Sequence, residues 1–172
     1  MCLVIDINVI GSVFNPKAEY HPNFEPVYNW IVHGKGKIIW GGTTYRDELR
    51  SGKYLRLLTR LNNSRKTVKI DPDNVDEIEV RLKNECCGSE YKGFNDHHIV
   101  ALIIASKCKL ICTGDNESDR FLKNGSLYPS GVGVPSIYKD INHRHLITDD
   151  KIVKECLPDK ILTKEERNSL FL

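Results

Sequence analysis

The chain has 172 residues, the length of one domain and enough to bury a sizeable core. Its composition, 40% hydrophobic and 28% charged, is that of a soluble globular protein, and no apolar run approaches the roughly 18 residues that a membrane span needs. The formal net charge of +2 is too mild to name a partner.

Residues 2–6 read as a buried strand that ends on Asp6. Pro16 and Pro22 punctuate a polar connection, and residues 24–32 then have Val27, Trp30 and Ile31 at helical spacing. Residues 37–40 form a second strand, closed by Gly41 and Gly42. Thr43 or Thr44 caps a helix carrying Asp47 and Glu48. In the helix expected over 53–63, Tyr54, Leu57, Leu58 and Leu61 make one apolar face, while Lys53, Arg56 and Arg60 point elsewhere. A third strand spans 67–70 and stops at Asp71-Pro72, and Val75, Ile78 and Leu82 mark another amphipathic helix. Residues 86–93 are a loop. Asn95 or Asp96 opens a helix that is apolar almost all round, so it belongs in the interior. Residues 110–113 form a fourth strand, and residues 134–138 are a candidate fifth. This alternation predicts an α/β domain with a mostly parallel sheet of four to five strands and helices on both faces. The domain is expected over 1–145. The tail, 146–172, has a capping-box pattern at Thr163 and Glu166 before a short helix, suited to docking on its own domain or on a partner.

The basic residues are unevenly spread. Residues 34–69 hold Lys35, Lys37, Arg46, Arg50, Lys53, Arg56, Arg60, Arg65, Lys66 and Lys69, opposed only by Asp47 and Glu48. Such a stretch suits a polyanionic ligand, and a solvated helix face explains it equally well. No basic segment precedes the first apolar run, so no signal peptide is expected. Cysteines 2, 86, 87, 108, 112 and 156 show no secreted framework and read as reduced thiols of a cytoplasmic protein.

In parallel sheets, ligand sites gather at the carboxyl ends of the strands. Asp6 ends the first strand and Asp115 follows the fourth. Asp96 opens the buried helix, and Glu48 lies on the helix after the second strand. Each alone has an ordinary explanation as a turn, cap or surface residue. Together they are four acids from four segments at one sheet edge, a cluster that needs a cation to offset its repulsion. Oxygen ligands select Mg²⁺ or Mn²⁺, and such ions suit in-line displacement at a phosphate.

The segments "VIDINVIGSVF", "TTYRDELRS", "NDHHIVALIIASKCKLICTGD" and "VPSIY" resemble a PIN domain, in the family's order, over roughly residues 1–142. The third is the strongest, with Asp96, His98, Ala101, Ala105 and Thr113-Gly114-Asp115 on the family pattern. The resemblance implies a PIN-like three-layer fold and an Mg²⁺- or Mn²⁺-dependent endoribonuclease using one or two ions, often the toxin of a bacterial toxin–antitoxin pair. Asp6, Glu48, Asp96 and Asp115 match its acidic site, and Asn8 and Thr113 match supporting polar residues. Asp119 matches an acid that some members use for a second ion. Glu48 is preferred to Asp47 because Leu49 follows it as in the family. The cleaved RNA would carry a 5′-phosphate and a 3′-hydroxyl.

RNA is therefore the expected partner, gripped by Arg46, Arg50, Lys53, Arg56 and Arg60. An antitoxin, another protein or a second copy of the chain are further candidate partners, and no membrane is expected. The alternatives are a single-strand or structure-selective DNA nuclease, a metal-dependent phosphatase, and a non-catalytic binding module of the same fold. Zinc at Cys86-Cys87, Cys108, Cys112, His97 and His98 is disfavoured by spacing. The glycine-rich segment 125–135 lacks the Lys-Ser/Thr pair of a phosphate loop. His98 is expected to pack behind Asp96 rather than to act as a base.

Overall fold

The first strand, β1 (Cys2–Ile5), is buried along its whole length, as its unbroken apolar sequence requires. The structure, a computed structural model, describes residues 2–51, 54–148, 156, 160–168 and 170. Four more strands follow: β2 (Lys37–Trp40), β3 (Thr67–Lys69), β4 (Leu110–Cys112) and β5 (Ser136–Tyr138). All neighbours pair in parallel, in the order β3-β2-β1-β4-β5. The chain thus runs outward through β2 and β3, returns across β1, and continues through β4 and β5. The direction reverses between β1 and β4, the position at which open parallel sheets form a crevice.

Eight helices connect or follow these strands among the described residues: α1 (Ile7–Phe14), α2 (His21–Val32), α3 (Thr43–Ser51), α4 (Leu55–Asn63), α5 (Pro72–Glu85), α6 (His97–Ser106), α7 (Asp119–Leu122) and α8 (Lys164–Asn168). Helices α1 and α2 pack together, as do α5 and α6, and α3 touches α1 and α4 as well as α5 and α6. The fold is therefore an α/β domain with a five-stranded parallel sheet flanked by helices, as the alternation of elements predicted. Helix α6 is the most buried: Ile99, Val100, Ala101, Leu102 and Ile103 are all enclosed.

Four findings extend or correct these expectations. Residues 7–14, given no element above, are helix: Val9, Ile10, Val13 and Phe14 form one buried face. A β-carbon at Gly11 would sit 2.8 Å from the Tyr54 hydroxyl, so a larger residue there would displace that ring. Helix α2 begins at His21, with Pro22 in its first turn, where a missing N–H costs nothing. Lys37 and Lys66 do not belong to a basic surface. Both are buried, and the Lys66 ammonium donates to the carbonyls of Gly34 (3.0 Å) and Lys160 (2.8 Å).

The fourth finding corrects the expectation for the thiols: Cys2 and Cys156 are disulfide-bonded, whereas Cys86, Cys87, Cys108 and Cys112 are free. That bond joins the tail to the start of β1. Leu162 and Leu170 enter the core, and Thr163 and Glu166 exchange the two hydrogen bonds of a capping box (2.8 and 3.3 Å). The described part of the tail therefore docks on its own domain. Lys53, Phe171 and Leu172 lie outside the described residues.

Candidate metal centre

Asp6 leaves β1 as the N-cap of α1 and accepts the Asn8 backbone N–H at 3.2 Å. Its second oxygen accepts from the Asn8 amide (3.0 Å) and the Thr113 hydroxyl (2.7 Å). The Thr113 oxygen accepts in turn from the Asp115 N–H (3.1 Å), and the Asn8 side-chain oxygen accepts from the Gly114 N–H (3.4 Å). Asn8 and Thr113 thus stitch the end of β1 to the end of β4. The Asp6 carboxyl is raised above its ordinary pKa, chiefly by burial, with the Thr113 and Asn8 bonds opposing.

Asp96 occupies the N-cap position of α6, yet its side chain makes no capping hydrogen bond. Its pKa is pushed up from 3.8 to about 6. Burial is the largest cause, and the charges of Asp6, Asp115 and Glu48 add to it while His98 opposes. The four segments therefore bring their acids close enough to feel one another.

Glu48 and Asp47 part company on α3. The Glu48 carboxylate meets His98 Nε2 at 3.2 Å, whereas Asp47 is exposed beside Arg46 at 3.8 Å. Burial disfavours a charged His98, but the hydrogen bond and charge of Glu48, with the charge of Asp96, outweigh it and raise its pKa. Tyr45, fully buried beneath, donates to the Ile5 carbonyl at 2.6 Å and ties α3 to the end of β1.

Asp115 turns its Oδ1 to the Glu117 N–H (2.7 Å). Asp119, one turn further, is held differently. Its Oδ1 lies 2.7 Å from Lys139 Nζ and its Oδ2 3.3 Å from Lys123 Nζ. Beside these residues opens a cleft of about 420 Å³, lined in part by Asn8, Ser12, Tyr20, Asn23, Asp115 and Lys139.

Among the described residues, no group of three or more His, Cys, Asp or Glu side chains is placed so that it could hold a metal ion as it stands. The donor chemistry fits a hard divalent cation: the oxygens are carboxylate, and Asp6 and Asp96 are raised in pKa by conditions that a cation would reverse. The cysteines do not offer an alternative thiolate set. Cys112 lies within β4, and burial raises the thiols of Cys108 (to about 11) and Cys112.

Arg46, Arg50 and Arg56 are exposed on α3 and α4, and Arg60 is partly covered. Three positioning residues have other roles than the sequence suggests. Tyr45, beside the basic stretch, reads as a residue that could stack on bases, but it is buried and ties α3 to β1. His98, matched to the family pattern and expected to pack behind Asp96, pairs with Glu48. Lys139 follows β5 immediately and had no motif to flag it. No family model, curated protein or solved structure matches the chain.

Proposed function

We propose that the chain is a metal-dependent endoribonuclease of the PIN type. The observation that carries this reading is Asp96, a carboxylate with no capping duty, raised to about 6 by burial and then by three other acids at the switch point of a parallel sheet. Asp6, Asp96 and Asp115 are the residues to hold Mg²⁺ or Mn²⁺. A bound ion of this kind polarises a phosphodiester and activates water. Asn8 and Thr113 fix the carboxylate of Asp6, and His98 fixes Glu48 towards the same edge. Arg46, Arg50, Arg56 and Arg60 supply cations for the RNA backbone on α3 and α4. A role as the toxin of a toxin–antitoxin pair follows from the resemblance alone. No helix among the described residues is long and apolar enough to cross a membrane.

The test is incubation of the purified chain with labelled RNA and labelled DNA, in Mg²⁺, Mn²⁺ or EDTA. RNA products with 5′-phosphates, formed with either metal and absent in EDTA, support the reading. Cleavage of DNA alone would move the assignment to a DNA nuclease. Binding without turnover in any metal would identify a binding module.

A further inference from the structure

Asp119 resembles an acid that holds a second ion in some PIN domains, but its surroundings here point another way. The Lys139 ammonium is only 16% exposed; it donates to the Asp115 carbonyl at 2.7 Å and the Asn116 side-chain oxygen at 2.8 Å, and forms an ion pair with Asp119 Oδ1 at 2.7 Å. Two of its protons are given to the uncharged oxygens, and its charge faces the Asp119 carboxylate at ion-pair distance. Lys123 Nζ takes the other Asp119 oxygen at 3.3 Å. Both oxygens of the carboxylate are therefore committed to cations that belong to the chain. Lys139 is reached from β5, next to β4, so its stem leaves the sheet at the same carboxyl edge as Asp115.

We infer that the Lys139 ammonium fills the place of a second divalent ion, so that the centre takes one exchangeable metal and carries its other positive charge as a side chain. This rests on the metal-centre reading above. A second ion would need oxygens from Asp119 and its neighbours. Those oxygens already face a fixed monovalent cation at contact distance, which would repel a divalent ion brought to the same oxygens. Lys139 is on this view a positioning residue. It holds Asp115 and Asp119 in place along the rim of the cleft and offsets part of the acidic charge before any ion arrives.

The experiment counts Mn²⁺ on the full chain by following the free-ion EPR signal during titration at pH 7.5. Wild type is expected to bind one ion. Lys139→Met keeps the aliphatic stem, removes the charge and frees three oxygens, so its count should rise to two. Lys139→Arg restores a cation and should return the count to one. Asp119→Asn should leave the wild-type count unchanged, and added to Lys139→Met it should return two to one. Circular dichroism on each variant confirms folding, and Asp119→Asn keeps the idea testable should Lys139→Met not fold. Two ions on wild type, or an ion lost in Asp119→Asn alone, would overturn the inference while leaving the nuclease reading intact. One ion on both wild type and folded Lys139→Met would do the same. No ion on wild type would overturn both.

Discussion

The raised carboxyl of Asp96 makes a counterintuitive prediction: removing this candidate ligand should stabilise the metal-free protein. A carboxyl of pKa 3.8 when unfolded and about 6 when folded binds more protons in the folded state between those values. Folding stability therefore falls as pH rises through this window, and the whole penalty stands above it. The full shift corresponds to about 3 kcal/mol at about 1.4 kcal/mol per pH unit. Asp96 is only partly buried, so solvent screening reduces that to about 1–2 kcal/mol. Asp96→Asn removes the charge and forfeits no capping bond. In EDTA at pH 7.5 its Tm should exceed that of wild type by about 2–8 °C, taking about 2–4 °C per kcal/mol for a chain of this size. At pH 4 the wild-type carboxyl is largely protonated in the fold, and most of the difference should disappear. Saturating Mn²⁺ should reverse the order, since an ion at about 100 times its Kd adds about 2.7 kcal/mol to wild type and less to the variant. Differential scanning fluorimetry at both pH values, with and without Mn²⁺, reads all of this. A variant less stable than wild type in EDTA at pH 7.5, or a Tm gain equal at pH 4 and 7.5, would refute the reasoning.

Glu48→Gln should cut RNA cleavage at least tenfold, while Asp47→Asn should leave it near wild type, because only Glu48 meets His98; gel assays at matched Mg²⁺ compare them. The His98 ring should titrate above the ordinary histidine range in an NMR pH series, and Glu48→Gln should lower that midpoint. Its contribution to stability is then present in full at low pH and lost as pH rises through the raised pKa. Apparent Mn²⁺ affinity should weaken as pH falls towards 6, where protons compete for Asp96, and calorimetry at several pH values measures the slope. Arg50→Gln with Arg56→Gln should flatten the plot of log affinity against log salt by about 1.4 for single-stranded RNA, roughly 0.7 per lost phosphate contact. An unchanged slope would make these arginines a solvated helix face.

Much of the fold was legible because its signals are local. Cys2–Ile5 and Leu110–Cys112 are short apolar runs bounded by polar residues, and α6 is apolar around its circumference. Helix α1 was hidden because its apolar residues continue the run of β1 and Gly11 interrupts them. The side chain that packs closest to that glycine is Tyr54, from a distant segment. The burial of Lys66 was equally hidden, since its acceptors are carbonyls at positions 34 and 160.

The candidate site divides along the same line. Four acids at the ends of apolar segments were visible because strand ends and helix starts are written within a few residues. Which of Asp47 and Glu48 turns to His98, how Asp119 is divided between two lysines, and that Cys2 pairs with Cys156 were decided by tertiary structure. By itself the sequence determined an α/β alternation with acids at one sheet edge, because period and capping act over one or two turns. The partners of those acids depend on strand order. Only the placement of β1 against β4 brings the Thr113 hydroxyl to Asp6 across 107 positions of sequence, and no local pattern records a contact of that range.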